Sequence, residues 1–255
     1  MSIKEGYVKI EKLENSVASI EFFHPQSNSL PSHLLDKLAV TITNAGNDDE
    51  INVIILKSGG DRTFCAGASF DELASISNTT EGIDFFSGFA KVINAARKCP
   101  KLIIGRVQGK AVGGGVGMAS AVDYCFATKF ASVKLSELAI GIGPFVVGPA
   151  VERKMGVSAM STLAINATKW FDAKWAMDKG LFAEVFESTI EMDEQIQILS
   201  NTLGKSHNKA TKALKKILWE GTENWDNLLA ERAKISGELI LSDFSKKAIE
   251  SILNK

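Results

Sequence analysis

The segment GKAVGGGVGMAS, residues 109–120, places four glycines among the five positions from 113 to 117. No acidic or basic side chain stands among these glycines. So much bare backbone is typical of a phosphate-binding loop, of close packing between a strand and a helix, or of a helix N-terminus whose amides bind a ligand. Each interpretation requires different residues around the glycines.

Two phosphate-binding motifs fit the segment poorly. A P-loop requires GxxxxGK followed by Ser or Thr, whereas GRVQGKA has three residues between its glycines and Ala111 at the hydroxyl position. GVGMAS nearly matches the dinucleotide pattern GxGxxG/A, and Glu137 stands where a ribose-binding acid is expected. Its sixth position is Ser120, however, and the segment does not open a nucleotide domain. A dinucleotide-dependent oxidoreductase is thus an alternative with weak support, and close strand–helix packing fits better.

A helix that begins at these glycines would leave its first N–H groups unpaired, with the positive end of the helix dipole behind them. Such amides hold a phosphate, or they stabilise an oxyanion that develops on a thioester carbonyl. An oxyanion hole needs a second donor. The segment TFCAGASFDEL is a candidate, because Gly67 lets the chain turn and Ala68 is too small to block its own N–H.

Apolar periodicity predicts the elements that must position these segments. Alternation in YVKIEKL and VASIEF predicts two strands with a turn at 14–16, and a helix is predicted to begin near Pro31 and Ser32. The continuous apolar runs INVIILKS and KLIIGRV predict strands buried on both faces. Between them the sequence predicts a loop over GGDRTFCAGASFDEL and a helix over 82–99.

Strands dominate the first half of the pattern and helices dominate from roughly residue 150 onward. This order predicts an α/β core with a helical C-terminal part. A change of character near residue 200 predicts a division into a core at 1–200 and a helical region at 201–255.

Composition restricts the function classes. The 29 Lys and Arg against 30 Asp and Glu give a net charge of −1, which offers no electrostatic footprint for nucleic acid or an anionic membrane. No apolar stretch has the length of a membrane span or a signal peptide, so a cytoplasmic protein is expected. The three cysteines form no CxxC pair and the histidines have no metal-ligand spacing, so neither a disulfide framework nor a metal site is expected.

Five segments together resemble the enoyl-CoA hydratase/isomerase (crotonase) superfamily. They are FFHPQSNSLP, FCAGASFDEL, VQGKAVGGGVGMASAVDYCFAT, LSELAIGIGP and SDFSKKAIESIL, in the family's order and spacing. The resemblance implies a crotonase-like ββα spiral core and an acyl-CoA thioester substrate, with coenzyme A as part of the substrate and no separate cofactor. It also implies a homotrimer or a hexamer of two trimers, with the C-terminal helices in subunit contacts or pocket closure.

The resemblance assigns roles to individual residues. The N–H groups of Ala68 and Gly114 would form the oxyanion hole, and Glu137 would be the catalytic acid/base. Apolar residues flank Glu137, so its carboxylate is expected to face either solvent or an apolar pocket. In an apolar pocket its pKa would rise, which suits a group that must take and give a proton. Eight further positions would contact substrate: Ala66, Gly67, Ser69, Phe70, Gly113, Gly117, Pro144 and Phe145.

One position departs from the hydratase pattern. Family hydratases commonly use two glutamates, and the position of the first aligns with Gly117. A single carboxylate suffices to move a double bond from the 3 to the 2 position, and LAIGIGPFVV resembles the isomerase-type members. Hydration by one carboxylate, with a methylglutaconyl-type or fatty acyl substrate, stays open. So do decarboxylation of a carboxylated acyl thioester and non-catalytic acyl-CoA binding.

Overall fold

Six strands form a sheet whose spatial order follows the chain. A computed structural model describes residues 5–253. Its strands are β1 (Tyr7–Lys12), β2 (Val17–Phe23), β3 (Ser29–Leu30), β4 (Val53–Ser58), β5 (Thr63–Cys65), β6 (Gly67–Ala68), β7 (Leu102–Val107), β8 (Lys110–Val112), β9 (Tyr124–Thr128), β10 (Ser132–Lys134), β11 (Phe171–Asp172) and β12 (Glu184–Phe186). The large sheet has the order β1-β2-β4-β7-β9-β12.

Helices cover the sheet and make up most of the second half of the chain. They are α1 (Ser32–Asn47), α2 (Phe70–Ser75), α3 (Thr79–Lys98), α4 (Gly114–Ala121), α5 (Gly148–Ile165), α6 (Ala173–Asp178), α7 (Thr189–Gly204), α8 (Asn208–Leu218), α9 (Trp225–Leu239) and α10 (Asp243–Leu253). A short 3-10 helix spans Glu137–Ile140. The predicted α/β core with helices toward the C-terminus is confirmed.

The sheet grows in one direction. After the antiparallel pair β1–β2, each new strand joins the same edge in parallel: β4, then β7, β9 and β12. A smaller sheet has the order β11-β10-β8-β5, and β3 pairs with β6. The four strands predicted from YVKIEKL, VASIEF, INVIILKS and KLIIGRV are confirmed as β1, β2, β4 and β7.

The central strands are buried on both faces, as their continuous apolar runs predict. Ile54 and Leu56 of β4 belong to the main core, which α1, α3 and α4 also form. Val53 and Ile55 alternate with them and pack in a second cluster with residues of α7. Helices on both faces of a mostly parallel sheet explain why these strands lack polar alternation.

The segment GGDRTFCAGASFDEL, predicted as a loop, contains β5, β6 and the start of α2. One long-range interaction and one local interaction order it. β6 pairs in parallel with β3, and the Ser69 hydroxyl accepts a hydrogen bond from the Glu72 N–H at 3.3 Å, which caps α2. The prediction of a loop was wrong because the partner strand β3 is distant in sequence and its pairing leaves no local pattern.

The C-terminal helices pack on the core. Gly82 of α3 and Gly237 of α9 are in close contact, since a Cβ atom on Gly82 would lie 2.8 Å from the Gly237 Cα. Residue 200, where the sequence changes character, lies inside α7, and Ser200 is buried. The division into 1–200 and 201–255 stays a prediction.

A buried ion pair attaches α8 to the sheet. The Asp123 carboxylate accepts hydrogen bonds from Lys215 Nζ at 2.6 Å, from Trp219 Nε1 at 2.7 Å and from the Ile103 N–H at 2.8 Å. The Asp123 and Lys215 side chains are 6% and 3% exposed. A buried charge is tolerated when it is paired and hydrogen-bonded, and separating this pair would leave it unpaired. The network therefore holds α8 against β7.

The substitution Asp123→Ala should lower the free energy of unfolding by about 3–5 kcal/mol, because it leaves the Lys215 ammonium buried and unpaired. Urea unfolding monitored by circular dichroism measures the change. Asp178→Ala is the control, because it removes the exposed pair with Lys174 and should cost ~0.5 kcal/mol or less. Equal losses in the two variants would show that Asp123 does not anchor α8.

Candidate active site

Five segments distant in sequence meet around one cavity of about 100 Å³. They are β6 with the start of α2, α3, the N-terminus of α4, the 3-10 helix with the loop that follows it, and α9. The cavity is lined by Ala66, Gly67, Ala68, Phe70, Leu73, Phe85, Phe86, Phe89, Val112, Gly113, Gly114, Ser136, Glu137, Ile140, Ile142, Gly143, Pro144, Phe145, Val146, Val147 and Ser236.

The glycine run is closely surrounded on several sides. A Cβ atom at Gly113 would lie 2.8 Å from Glu137 Oε1, and Gly113 has a φ of +52°, which also disfavours a side chain. A Cβ atom at Gly114 would overlap the Phe89 ring, and one at Gly115 would overlap the Cys65 carbonyl oxygen. Glycine is therefore required here by close packing as well as by backbone conformation.

Two backbone amides border the cavity. Gly114 is the first residue of α4, so its N–H has no acceptor in the preceding turn. The N–H of Ser69 donates to the Leu30 carbonyl at 3.0 Å, and strand alternation directs the N–H of Ala68 to the opposite side. The segments are adjacent, because a Cβ atom at Gly67 would lie 3.9 Å from the Gly114 nitrogen. This placement is compatible with one oxygen atom accepting from both amides.

The 3-10 helix places the Glu137 side chain at the cavity. The residue as a whole is half-buried, but its Oε2 atom is fully buried and has no hydrogen-bond partner among the described residues. Burial raises the pKa of the Glu137 carboxyl from 4.5 to about 7. Of the two surroundings that the sequence leaves open for this carboxylate, solvent or an apolar pocket, the structure places it at a mainly apolar cavity wall. A carboxyl with such a pKa is suited to exchange protons near neutral pH.

Most of the predicted substrate-contacting positions line the cavity, namely Ala66, Gly67, Phe70, Gly113, Pro144 and Phe145. Two predicted positions lie outside its wall. Ser69 is buried and caps α2, and Gly117 faces Val147 inside the core. Direct contact of these two residues with substrate gains no support from the structure.

Phe89 and Val147 were not predicted as site residues. A Cβ atom on Gly117 would lie 2.6 Å from Val147 Cγ1 and 3.5 Å from Ile93 Cδ1, so Val147 fills the space beside Gly117. Val147 comes from the loop after the 3-10 helix, and no sequence pattern indicates this contact. Phe89 had a detectable signal, because it follows Phe85 by four residues and lies on the same face of α3.

A cationic cluster lies beside the cavity. Lys134 Nζ and Lys110 Nζ lie 4.6 and 5.1 Å from the Trp170 ring centroid. Burial, and secondly the neighbouring Lys110 charge, lower the pKa of Lys134. An adjacent cavity is lined by Lys110, Trp170 and Arg62 and shares Ala66 with the first. Among the described residues no carboxylate pairs with these three cations, so the cluster is suited to bind an anion.

The sequence model described as "Enoyl-CoA hydratase/isomerase" matches residues 12–254. The chain belongs to the enoyl-CoA hydratase/isomerase family. It is 28% identical to a short-chain-enoyl-CoA hydratase of Clostridium acetobutylicum over 251 residues, which cover 97% of this chain and 95% of the relative. It is 27% identical to a peroxisomal Delta(3,5)-Delta(2,4)-dienoyl-CoA isomerase of Arabidopsis thaliana over 274 residues, covering 98% and 96%.

Solved structures of the family share the fold. The crystal structure of an enoyl-CoA hydratase from Bacillus halodurans has a TM-score of 0.88 and 24% identity, covering 96% of this chain and 99% of that one. The predicted crotonase fold is confirmed, and the family assigns the chain to hydratase/isomerase enzymes.

The sheet also argues against the dinucleotide alternative. Dinucleotides bind where the strand order of a doubly wound sheet reverses. The large sheet here adds its strands in one direction and has no such reversal among the described residues.

Within residues 5–253, no helix combines the length and apolar character needed to cross a membrane.

The raised pKa of Glu137 predicts a pH-dependent stability. The folded state holds this proton more tightly than the unfolded chain does, so ionisation of Glu137 destabilises the fold. This destabilisation is small below the unfolded pKa of 4.5 and reaches its full size above about pH 7. The difference in unfolding free energy between Glu137→Gln and the wild type should therefore shift by roughly 2–3 kcal/mol in favour of the variant as the pH rises from 5 to 8.

Urea unfolding at the two pH values measures this gain. Glu231→Gln, which changes an exposed carboxylate on α9, is the control and should change stability little at either pH. An equal pH dependence in wild type and Glu137→Gln would contradict a proton held by the buried Glu137 carboxylate.

Proposed function

We propose that this enzyme moves the double bond of a 3-enoyl-CoA to the 2 position, with Glu137 as its single acid/base. The observation that carries the proposal is the packing of Val147 against Gly117. That contact fills the space where a second carboxylate would have to stand. Isomerisation transfers one proton between two carbons and needs one carboxylate, whereas hydration also requires a water molecule to be positioned and deprotonated.

The backbone amides of Ala68 and Gly114 are proposed to bind the thioester oxygen. Charge develops on this oxygen when a proton leaves C2, and fixed N–H dipoles stabilise that charge without reorganising. The dipole of α4 adds to the effect, because Gly114 stands at the positive end of the helix. Loss of one such donor typically costs about 2.7–4 kcal/mol of transition-state stabilisation.

Glu137 then moves the proton. Its carboxylate removes a proton from C2 of the 3-enoyl thioester, which gives a dienolate with its charge on the thioester oxygen. The carboxylic acid returns the proton to C4, the double bond forms between C2 and C3, and Glu137 is again ionised. The buried, unpartnered Oε2 supports this role, because no other described group competes for the proton.

The cationic cluster supports an acyl-CoA as substrate. Coenzyme A carries a diphosphate and a ribose phosphate. Lys110 and Arg62 line the cavity that adjoins the acyl site, and Lys134 lies over the Trp170 ring of its wall. Trp170 offers an aromatic face at the same place, 39% exposed. We propose that the nucleotide end of coenzyme A binds there while the thioester reaches the amides.

Mass spectrometry in heavy water tests the reaction. The protein is incubated separately with 2-enoyl, 3-enoyl and carboxylated acyl-CoA thioesters. We expect the 3-enoyl species to become its 2-enoyl isomer, separated by chromatography, without gain of water. Deuterium enters C4 only to the extent that the Glu137 carboxylic acid exchanges its proton with solvent before returning it. Addition of a water molecule to the 2-enoyl species would contradict the isomerase proposal and indicate a hydratase. Loss of carbon dioxide from the carboxylated species would indicate a decarboxylase. Binding of a thioester without any conversion would indicate a non-catalytic protein.

The role of Glu137 predicts a pH profile. Since the carboxylate is the base, kcat/KM should rise about tenfold per pH unit on the acid side, with its midpoint set by the pKa of about 7, and then level off. Glu137→Gln should lower kcat by roughly 10²–10⁴-fold and remove this rise.

The exposed-site variant Glu231→Gln serves as control and should retain the wild-type profile. Turnover by Glu137→Gln at the wild-type rate would show that another group is the base. The homotrimer or hexamer and the cytoplasmic location stay predictions, since the structure of one chain tests neither.

A further inference from the structure

We propose that the acyl cavity selects short, uncharged acyl chains and rejects chains that carry a terminal carboxylate. This inference rests on the proposed function, in which an acyl-CoA thioester binds at this cavity. It excludes the methylglutaconyl-type substrate that the sequence leaves open.

The cavity wall has no group that could neutralise an anion. Aromatic and branched aliphatic side chains make up most of it, and the described residues that line it include no Lys, Arg or His. Its polar side chains are Ser136, Ser236 and Glu137. The hydroxyl of Ser236 already donates to the Arg232 carbonyl at 3.3 Å. An acyl carboxylate would therefore leave water without a cationic partner.

Glu137 makes a second carboxylate still less favourable. Its own ionised form lacks a hydrogen-bond partner on Oε2, and another negative charge in the same small space would repel it. Of the cationic cluster, Arg62 and Lys110 line the adjoining cavity, and Lys134 Nζ lies over the ring of Trp170 in its wall. The charges there are placed for the nucleotide end of the substrate and lie outside the acyl cavity.

The size of the cavity restricts the chain length. An apolar cavity of roughly 150 Å³ binds benzene, which has six carbons. The acyl cavity of about 100 Å³ is smaller, so it accommodates a chain of roughly four carbons, enough for the C2, C3 and C4 atoms of the proposed reaction.

Phe85 is the residue placed to set this limit. Phe89 contacts Gly114 at the proposed oxyanion site, and Phe85 lies one helical turn away, a rise of about 6 Å along α3. Phe85 belongs to a buried cluster with Leu73, Ile140, Ile142, Ile240 and Ile249, which α2, the 3-10 helix and the C-terminal helices form. A longer chain would have to displace a ring held by this cluster.

Binding of unreactive saturated thioesters tests selection separately from catalysis. Titration calorimetry compares butyryl-CoA with succinyl-CoA, which has the same number of carbons but ends in a carboxylate, and with octanoyl-CoA and free coenzyme A. We expect succinyl-CoA to bind at least roughly 100-fold more weakly than butyryl-CoA, because a desolvated carboxylate is unpaired. Octanoyl-CoA should bind at least roughly tenfold more weakly than butyryl-CoA, because its longer chain exceeds the cavity.

Two variants test whether Phe85 sets the limit on acyl chain length. Phe85→Ala should strengthen octanoyl-CoA binding by roughly tenfold and leave succinyl-CoA weak, since it adds space but no charge. Phe130→Ala, which removes a ring that is 65% exposed, is the matched control and should change neither affinity.

Each outcome has a distinct meaning. Equal affinities of succinyl-CoA and butyryl-CoA would overturn the exclusion of charged chains. Equal affinities of octanoyl-CoA and butyryl-CoA in the wild type would overturn the length limit. If butyryl-CoA bound no more tightly than free coenzyme A, the cavity would not be an acyl site, and the proposed function itself would fail.

Discussion

The site depends on how closely the N-terminus of α4 is packed. The positions from Gly113 to Gly117 meet a carboxylate, an aromatic ring, a backbone carbonyl and a valine side chain at distances that leave little or no room for a Cβ atom. Because of this close packing, β6, α3 and the 3-10 helix converge on the first amide of α4. Without it, the amides and the Glu137 carboxylate would not border the same cavity.

Charge is placed in the fold according to burial. Asp123 is buried with its partners, Lys215 and Trp219, and so serves to hold α8 on the sheet. Glu137 has its Oε2 buried without a partner, and the pKa of its carboxyl rises to about 7. The two carboxylates thus differ in their neighbours: a paired carboxylate is structural, whereas an unpaired one at a cavity is available for chemistry.

The proposal of isomerisation rather than hydration rests on an apolar contact. The absence of a carboxylate at position 117 is visible in the sequence, but a glycine there leaves open whether water or another side chain occupies the space. Val147, thirty positions further along the chain, occupies it. Apolar side chains line the first cavity and cationic side chains lie at the one beside it. This arrangement supports the proposal that an uncharged acyl chain binds in one and phosphate in the other.

The sequence by itself determined the family, the strands β1, β2, β4 and β7, and the candidate roles of Glu137, Ala68 and Gly114, because apolar periodicity and ordered motifs are local properties of the chain. The tertiary structure alone decided that β5 and β6 order a predicted loop, that Val147 packs on Gly117, and that Ser69 caps a helix instead of lining the cavity. Pairing of β6 with β3 and packing of Val147 join residues far apart in sequence. Such contacts depend on how the whole chain folds, and no local pattern encodes them.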